Sequence, residues 1–87
     1  MNEIERHKNI AARICEKYAC IEKVDFNYHP QRLNYADIRF EIYNSALNLR
    51  YITVHHWCKV CASASHINNY ENIENYAHYL ASKHQGS

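Results

Sequence analysis

Apolar residues change their spacing twice along the chain, and the changes divide it into five elements. From Asn2 to about Ile21, the residues Ile4, His7, Ala11, Ile14, Tyr18 and Ile21 recur at steps of three and four, with Ile10 and Cys15 widening the stripe. That spacing predicts an amphipathic helix. Asn2 followed by Glu5 reads as a capping pair, and Glu3 and Glu5 suit the positive end of a helix dipole. From Glu22 the period drops to two: Val24, Phe26 and Tyr28 alternate with Lys23, Asp25, Asn27 and His29, and Pro30 ends this first strand. Ile38, Phe40 and Ile42 alternate with Asp37, Arg39, Glu41 and Tyr43 in a second strand, and Asn44 to Asn48 supply a turn. A third strand starts at Leu49, with Ile52 and Val54 expected toward the core and Tyr51, Thr53, His55 and Trp57 away from it. After a small-residue linker, Ala62 to Ser65, a second helix is expected near Asn68, capped by Asn68 and Glu71. Its stripe is Tyr70, Ile73, Ala77, Leu80 and His84, and Gly86 is its stop.

The order α-β-β-β-α with short connections predicts an α+β domain: a three-stranded antiparallel meander with two helices packed on one face. The other face is left open. By this pattern it carries Asn27, His29, Arg39, Glu41, Tyr43, Tyr51, His55 and Trp57, a mixture of charge and aromatic surface of the kind enriched at protein interfaces.

Composition narrows the classes. With 87 residues the chain makes one small domain, 1–87, with a single modest core. One glycine makes a phosphate-cradling loop untenable, and 47% apolar content is that of a folded chain. A net charge of +1, spread along the sequence, provides no general attraction to phosphate backbones or anionic membranes. No stretch approaches a membrane span, and the polar N-terminus lacks the pattern of a signal peptide. A cytoplasmic setting is therefore expected, with the four cysteines reduced; in an extracellular setting the four would permit two bridges.

Chemistry concentrates between Leu49 and Cys61, LRYITVHHWCKVC. Trp57-Cys58-Lys59-Val60-Cys61 resembles the W-C-x-x-C of thioredoxin-like oxidoreductases, a likeness that implies a nucleophilic first cysteine and a resolving second one. Only 26 residues follow Cys61, and Pro30 lies upstream of it. Cys58, Cys61 and His66 also match the first three ligand positions of zinc knuckles, with Glu71 at the fourth, which implies a tetrahedral zinc site in a nucleic-acid-binding module. The knuckle's glycine is missing. His55 or His56, Asn68 or Asn69, and His78 resemble the spaced set of HNH nucleases, which implies a histidine base and a divalent metal. The element order is similar to that of double-stranded-RNA-binding domains, but the second helix opens with Asn69-Tyr70-Glu71-Asn72 where those domains carry basic residues.

With no catalytic constellation complete, the expectation is a small non-enzymatic protein that binds through its open sheet face and adjoining loop. The expected partner-binding residues are Arg39, Tyr43, Tyr51, His55, His56 and Trp57, facing a protein partner or a second copy of the chain in a homodimer. The low-glycine, asparagine- and isoleucine-rich composition suggests an AT-rich genome. An inhibitor carried by a phage or mobile element, of the anti-CRISPR or anti-restriction type, acting on a host defence or transcription complex, fits that frame. The alternatives are a zinc-stabilised nucleic-acid-binding domain, with Cys58, Cys61, His66 and Glu71 on the metal, and a small HNH-like nuclease.

Overall fold

A computed structural model describes residues 2–61 and 66–84; the expected linker at 62–65 and the Gly86 stop lie outside the described residues. The element order is α1 (Glu3–Lys17), β1 (Ile21–His29), β2 (Arg32–Asn44), β3 (Leu49–Cys58) and α2 (Tyr70–His84), and the strands form one antiparallel sheet in the order β1-β2-β3. This is the α+β architecture that the spacing of apolar residues predicts.

Local chemistry sets each boundary. Asn2 caps α1, its side-chain oxygen accepting the Glu5 N–H at 2.9 Å. The helix stops at Lys17, three to four residues earlier than the stripe suggests, because Tyr18 is already extended and Ile21 is spent on the first position of β1. At α2 the cap is Asn69, which accepts the Asn72 N–H at 2.8 Å, one residue later than the expected Asn68 pair. Between β2 and β3, Asn44 accepts the Leu47 N–H at 3.1 Å and Asn48 takes a positive φ of 52°. Asparagine tolerates that left-handed conformation better than a branched residue.

Both helices cover the same sheet face. His7 of α1 stacks on Phe26 of β1 with ring centroids 4.3 Å apart, and Tyr76 of α2 packs edge-on to Phe40 of β2 at 5.5 Å. Arg13 and Glu74 link the two helices at 2.7 Å. The core beneath them gathers Ile10 and Ile14 from α1, Ile21 and Val24 from β1, Ala36, Ile38, Phe40 and Ile42 from β2, Trp57 from β3, Ile67, and Ile73, Ala77, Leu80 and Ala81 from α2.

The third strand has the opposite phase to the one expected. Its register against β2 pairs Ala36 with Trp57, Ile38 with His55, Phe40 with Thr53 and Ile42 with Tyr51, so these β3 residues share the helix-covered face. Trp57 is 1% exposed, whereas Ile52 and Val54 are 55% and 52% exposed on the open face. The reason is energetic. Full burial of a tryptophan removes roughly 150–250 Å² from water, worth roughly 4–6 kcal/mol at about 25 cal/mol per Å². The inner sites at Tyr51, Thr53 and His55 are only partly covered, so Ile52 and Val54 placed there would recover less than the roughly 1.5–3 kcal/mol that full burial gives each. Trp57 wins, and it fits because Ala36 opposite it leaves room.

Candidate functional site

The inverted phase rebuilds the open face. It presents Lys23, Asp25 and Asn27 from β1, Asp37, Arg39, Glu41 and Tyr43 from β2, and Arg50, Ile52, Val54 and His56 from β3. Its charges are paired with one another: Lys23 with Asp25 at 3.5 Å, Arg39 with Glu41 at 3.6 Å, and Arg50 with Glu22 at 3.0 Å while its guanidinium lies over the Tyr43 ring. Amid these neutralised charges, Ile52 and Val54 form an apolar step. Leu47 and Leu49, at the turn entering the strand, are also more than half exposed.

Beside that step runs a backbone edge. The His56 carbonyl accepts the Ile67 N–H and the Cys58 N–H donates to the Ile67 carbonyl, both at 2.9 Å, so the even-numbered residues of β3 direct their main-chain groups away from β2. By strict alternation the N–H and C=O groups of Arg50, Ile52 and Val54 point the same way. Among the described residues the Ile67 segment covers the Cys58 end of this edge, and no main-chain partner follows it toward Arg50.

At the opposite end of the open face is a ring cluster centred on Tyr35. His29, His56 and His66 lie 4.6, 6.0 and 5.7 Å from its ring centroid. Asp37 bonds His56 Nδ1 at 2.6 Å and lies 3.9 Å from His29 Nε2. Next to this cluster Cys58 and Cys61 are joined in a disulfide, in place of the reduced thiols expected, while Cys15 and Cys20 are free.

The expected site residues thus fall into separate groups. Arg39 and Tyr43 occupy the open face as anticipated, and the inverted phase of β3 brings His56 onto it in place of His55. Tyr51, His55 and Trp57 lie on the covered face: Tyr51 against the His84 ring at 4.5 Å, His55 stacked on Tyr76 at 4.5 Å, and Trp57 edge-on to His7 at 4.5 Å. Burial, more than the neighbouring His56 and His66, pulls the His55 pKa down. Cys58, Cys61 and His66 are neighbours around one cleft, but Glu71 stands in the first turn of α2. Sulfurs tied in a disulfide are not the thiolates that zinc requires, and no three His, Cys, Asp or Glu side chains among the described residues converge on a metal position. The HNH-like set is divided as well: His55 and His56 face opposite sides of the sheet, and His78 bonds the Tyr18 hydroxyl at 3.0 Å.

A polar knot under the covered face went unforeseen beyond the place of His7 on the apolar stripe of α1. His7 Nδ1 bonds the Tyr28 hydroxyl, and the Tyr70 hydroxyl donates to Glu3. Burial lowers the His7 pKa against the pull of Glu3, and raises that of Tyr28 to about 12 and that of Tyr70 above its ordinary value. At neutral pH the knot therefore holds neutral rings. The i, i+4 spacing of Glu3 and His7 on one helix face is the signal that could have found it. Tyr35 carried no such signal, since its role arises from tertiary contact: His29 reaches it from β1, His56 from β3 and His66 from the segment before α2.

No family model, no curated protein and no solved structure matches this chain. Fold and surface together define a small α+β domain with one sheet face sealed by helices and one open. No helix among the described residues is long and apolar enough to cross a membrane.

Proposed function

We propose that the chain is a non-catalytic binding domain that engages a protein partner through the open sheet face and the bare edge of β3. The observation that supports this most is the coincidence of main-chain groups that have no partner among the described residues with exposed Ile52 and Val54 at the same residues. An edge of this kind is a template for another strand, and monomeric proteins usually blunt it with lysine, proline or a bulge. From Leu49 to Val54 there is no lysine and no proline, the one charged side chain, Arg50, is paired with Glu22 and lies over the Tyr43 ring, and the register with β2 runs without a bulge. A strand added there would gain main-chain hydrogen bonds from the edge and specificity from the Ile52 and Val54 side chains. Arg39, Tyr43 and His56 lie on the same face and would contact whatever covers it.

The test compares the wild type with an Ile52→Lys/Val54→Lys double variant, which keeps the covered face untouched. Proteins from one lysate that the wild type retains and the variant loses identify the partner. Sedimentation of each protein alone shows whether a second copy fills that place. A loss of at least tenfold in affinity with an unchanged Tm is expected. Equal retention of the same proteins, with the same sedimentation, would show that the edge is not the contact surface.

A further inference from the structure

We infer that the Cys58–Cys61 disulfide is a thiol–disulfide exchange site at which an incoming thiolate attacks Cys61 Sγ. Three observations converge on it. The two sulfurs differ in access: Cys58 is 3% exposed while Cys61 is half-buried. Their anchoring differs too, because Cys58 ends β3 with its N–H bonded to Ile67, and Lys59 after it donates to the Asn34 carbonyl at 2.9 Å, whereas Cys61 stands beyond the turn. The disulfide also forms part of the wall of a cleft of about 490 Å³, lined by Gln31, Asn34, Tyr35, Val60 and His66. That is within the size range of small-ligand sites, and Val60, 74% exposed at its rim, offers an apolar contact to a bound group.

The short loop between the two cysteines makes this bond a weak staple of the fold. In the chain-entropy account the stabilisation falls with the length of loop closed, and a separation of three residues lies at its low end. In the exchange, the thiolate RS⁻ forms a bond to Cys61 Sγ as the Cys58–Cys61 bond breaks, and the electron pair leaves on Cys58 Sγ, which takes a proton from water. A second thiolate attacks the outer sulfur of the mixed disulfide, releasing RS–SR and the Cys61 thiolate. Two external thiols are oxidised and the cysteine pair is reduced by two electrons. The accessible cysteine is the second of the pair, the reverse of the order that the W-C-x-x-C resemblance implies.

Native, oxidised full-length chain is titrated with reduced glutathione, quenched in acid, alkylated and mapped by mass spectrometry. Reduction of the pair with the circular dichroism unchanged is expected. In a Cys58→Ser variant given oxidised glutathione, the adduct should appear on Cys61. On the reduced wild type, iodoacetamide should label Cys61 at least tenfold faster than Cys58, which keeps the test valid if the variant misfolds. A parallel arm replaces glutathione with a cysteine-containing dodecapeptide, and the faster of the two reveals whether the site serves a small thiol or a protein cysteine. Reduction only in denaturant, or preferential labelling of Cys58, overturns the proposal.

Discussion

The two halves of β3 meet opposite fates. Its C-terminal half ends in a buried tryptophan facing Ala36, a main-chain edge covered by Ile67 and a disulfide. Its N-terminal half carries exposed leucine, isoleucine and valine along an edge with no main-chain partner among the described residues. A single strand cannot satisfy both halves, since alternation ties every side chain to one phase. The large residue sets the phase for the strand, and the smaller apolar residues are left on the solvent side. Apolar surface stranded in this way marks where a partner would be most useful to the molecule.

The sharpest way to break the comparison is at Trp57. Trp57→Ala should cost about 3–5 kcal/mol, measured by urea denaturation, because it empties a fully buried site. Enlarging the facing residue, Ala36→Leu, should cost about 1–3 kcal/mol through overpacking against the same ring.

Acid should loosen the covered face next. Burial holds His7 below its ordinary 6.5, so on acidification the unfolded chain takes up the proton first. The stability that neutral His7 contributes is complete above about 6.5 and is lost as the pH falls through the folded-state pKa. Tm should decline as the pH falls below about 6.5, and His7→Gln should make that decline shallower, whatever its effect at neutral pH. A slope identical to wild type would show that His7 does not titrate differently on folding.

The smallest effect belongs to the open half. Ile52→Thr and Val54→Thr should each change stability by no more than about 0.5 kcal/mol in the same urea assay, as surface substitutions usually do. A larger loss would mean that these side chains are packed.

Periodicity made most of the fold legible. The switch from steps of three and four to steps of two located α1, β1 and the centre of β2, and Asn2 with Glu5 gave the start of α1 correctly. What it could not give is the phase of β3, where Ile52 and Val54 compete with Trp57 for the same face. Alternation states that neighbours are opposed without stating which is inside, and the decision rests on Ala36, a residue of another strand. The candidate site was legible in the same uneven way. Arg39 and Tyr43 lie on a strand face that the pattern could assign, His56 reached that face only through the inverted phase of β3, and Tyr35 acquires its three histidine neighbours only through tertiary contact. The bond between Cys58 and Cys61 was obscured by an argument from compartment, although a strand end followed by a tight turn brings their Cα atoms to 5.4 Å.

Residue-resolved amide hydrogen exchange tests the central claim, that β3 keeps a bare edge toward its N-terminal half. In dilute chain shown by sedimentation to be monomeric, the Ile52 and Val54 amides should exchange at least a hundredfold faster than those of Tyr51 and Thr53, whose N–H groups point to β2. Comparable protection at all four positions would contradict the account, because it would place a main-chain partner along the edge from which the binding surface was argued.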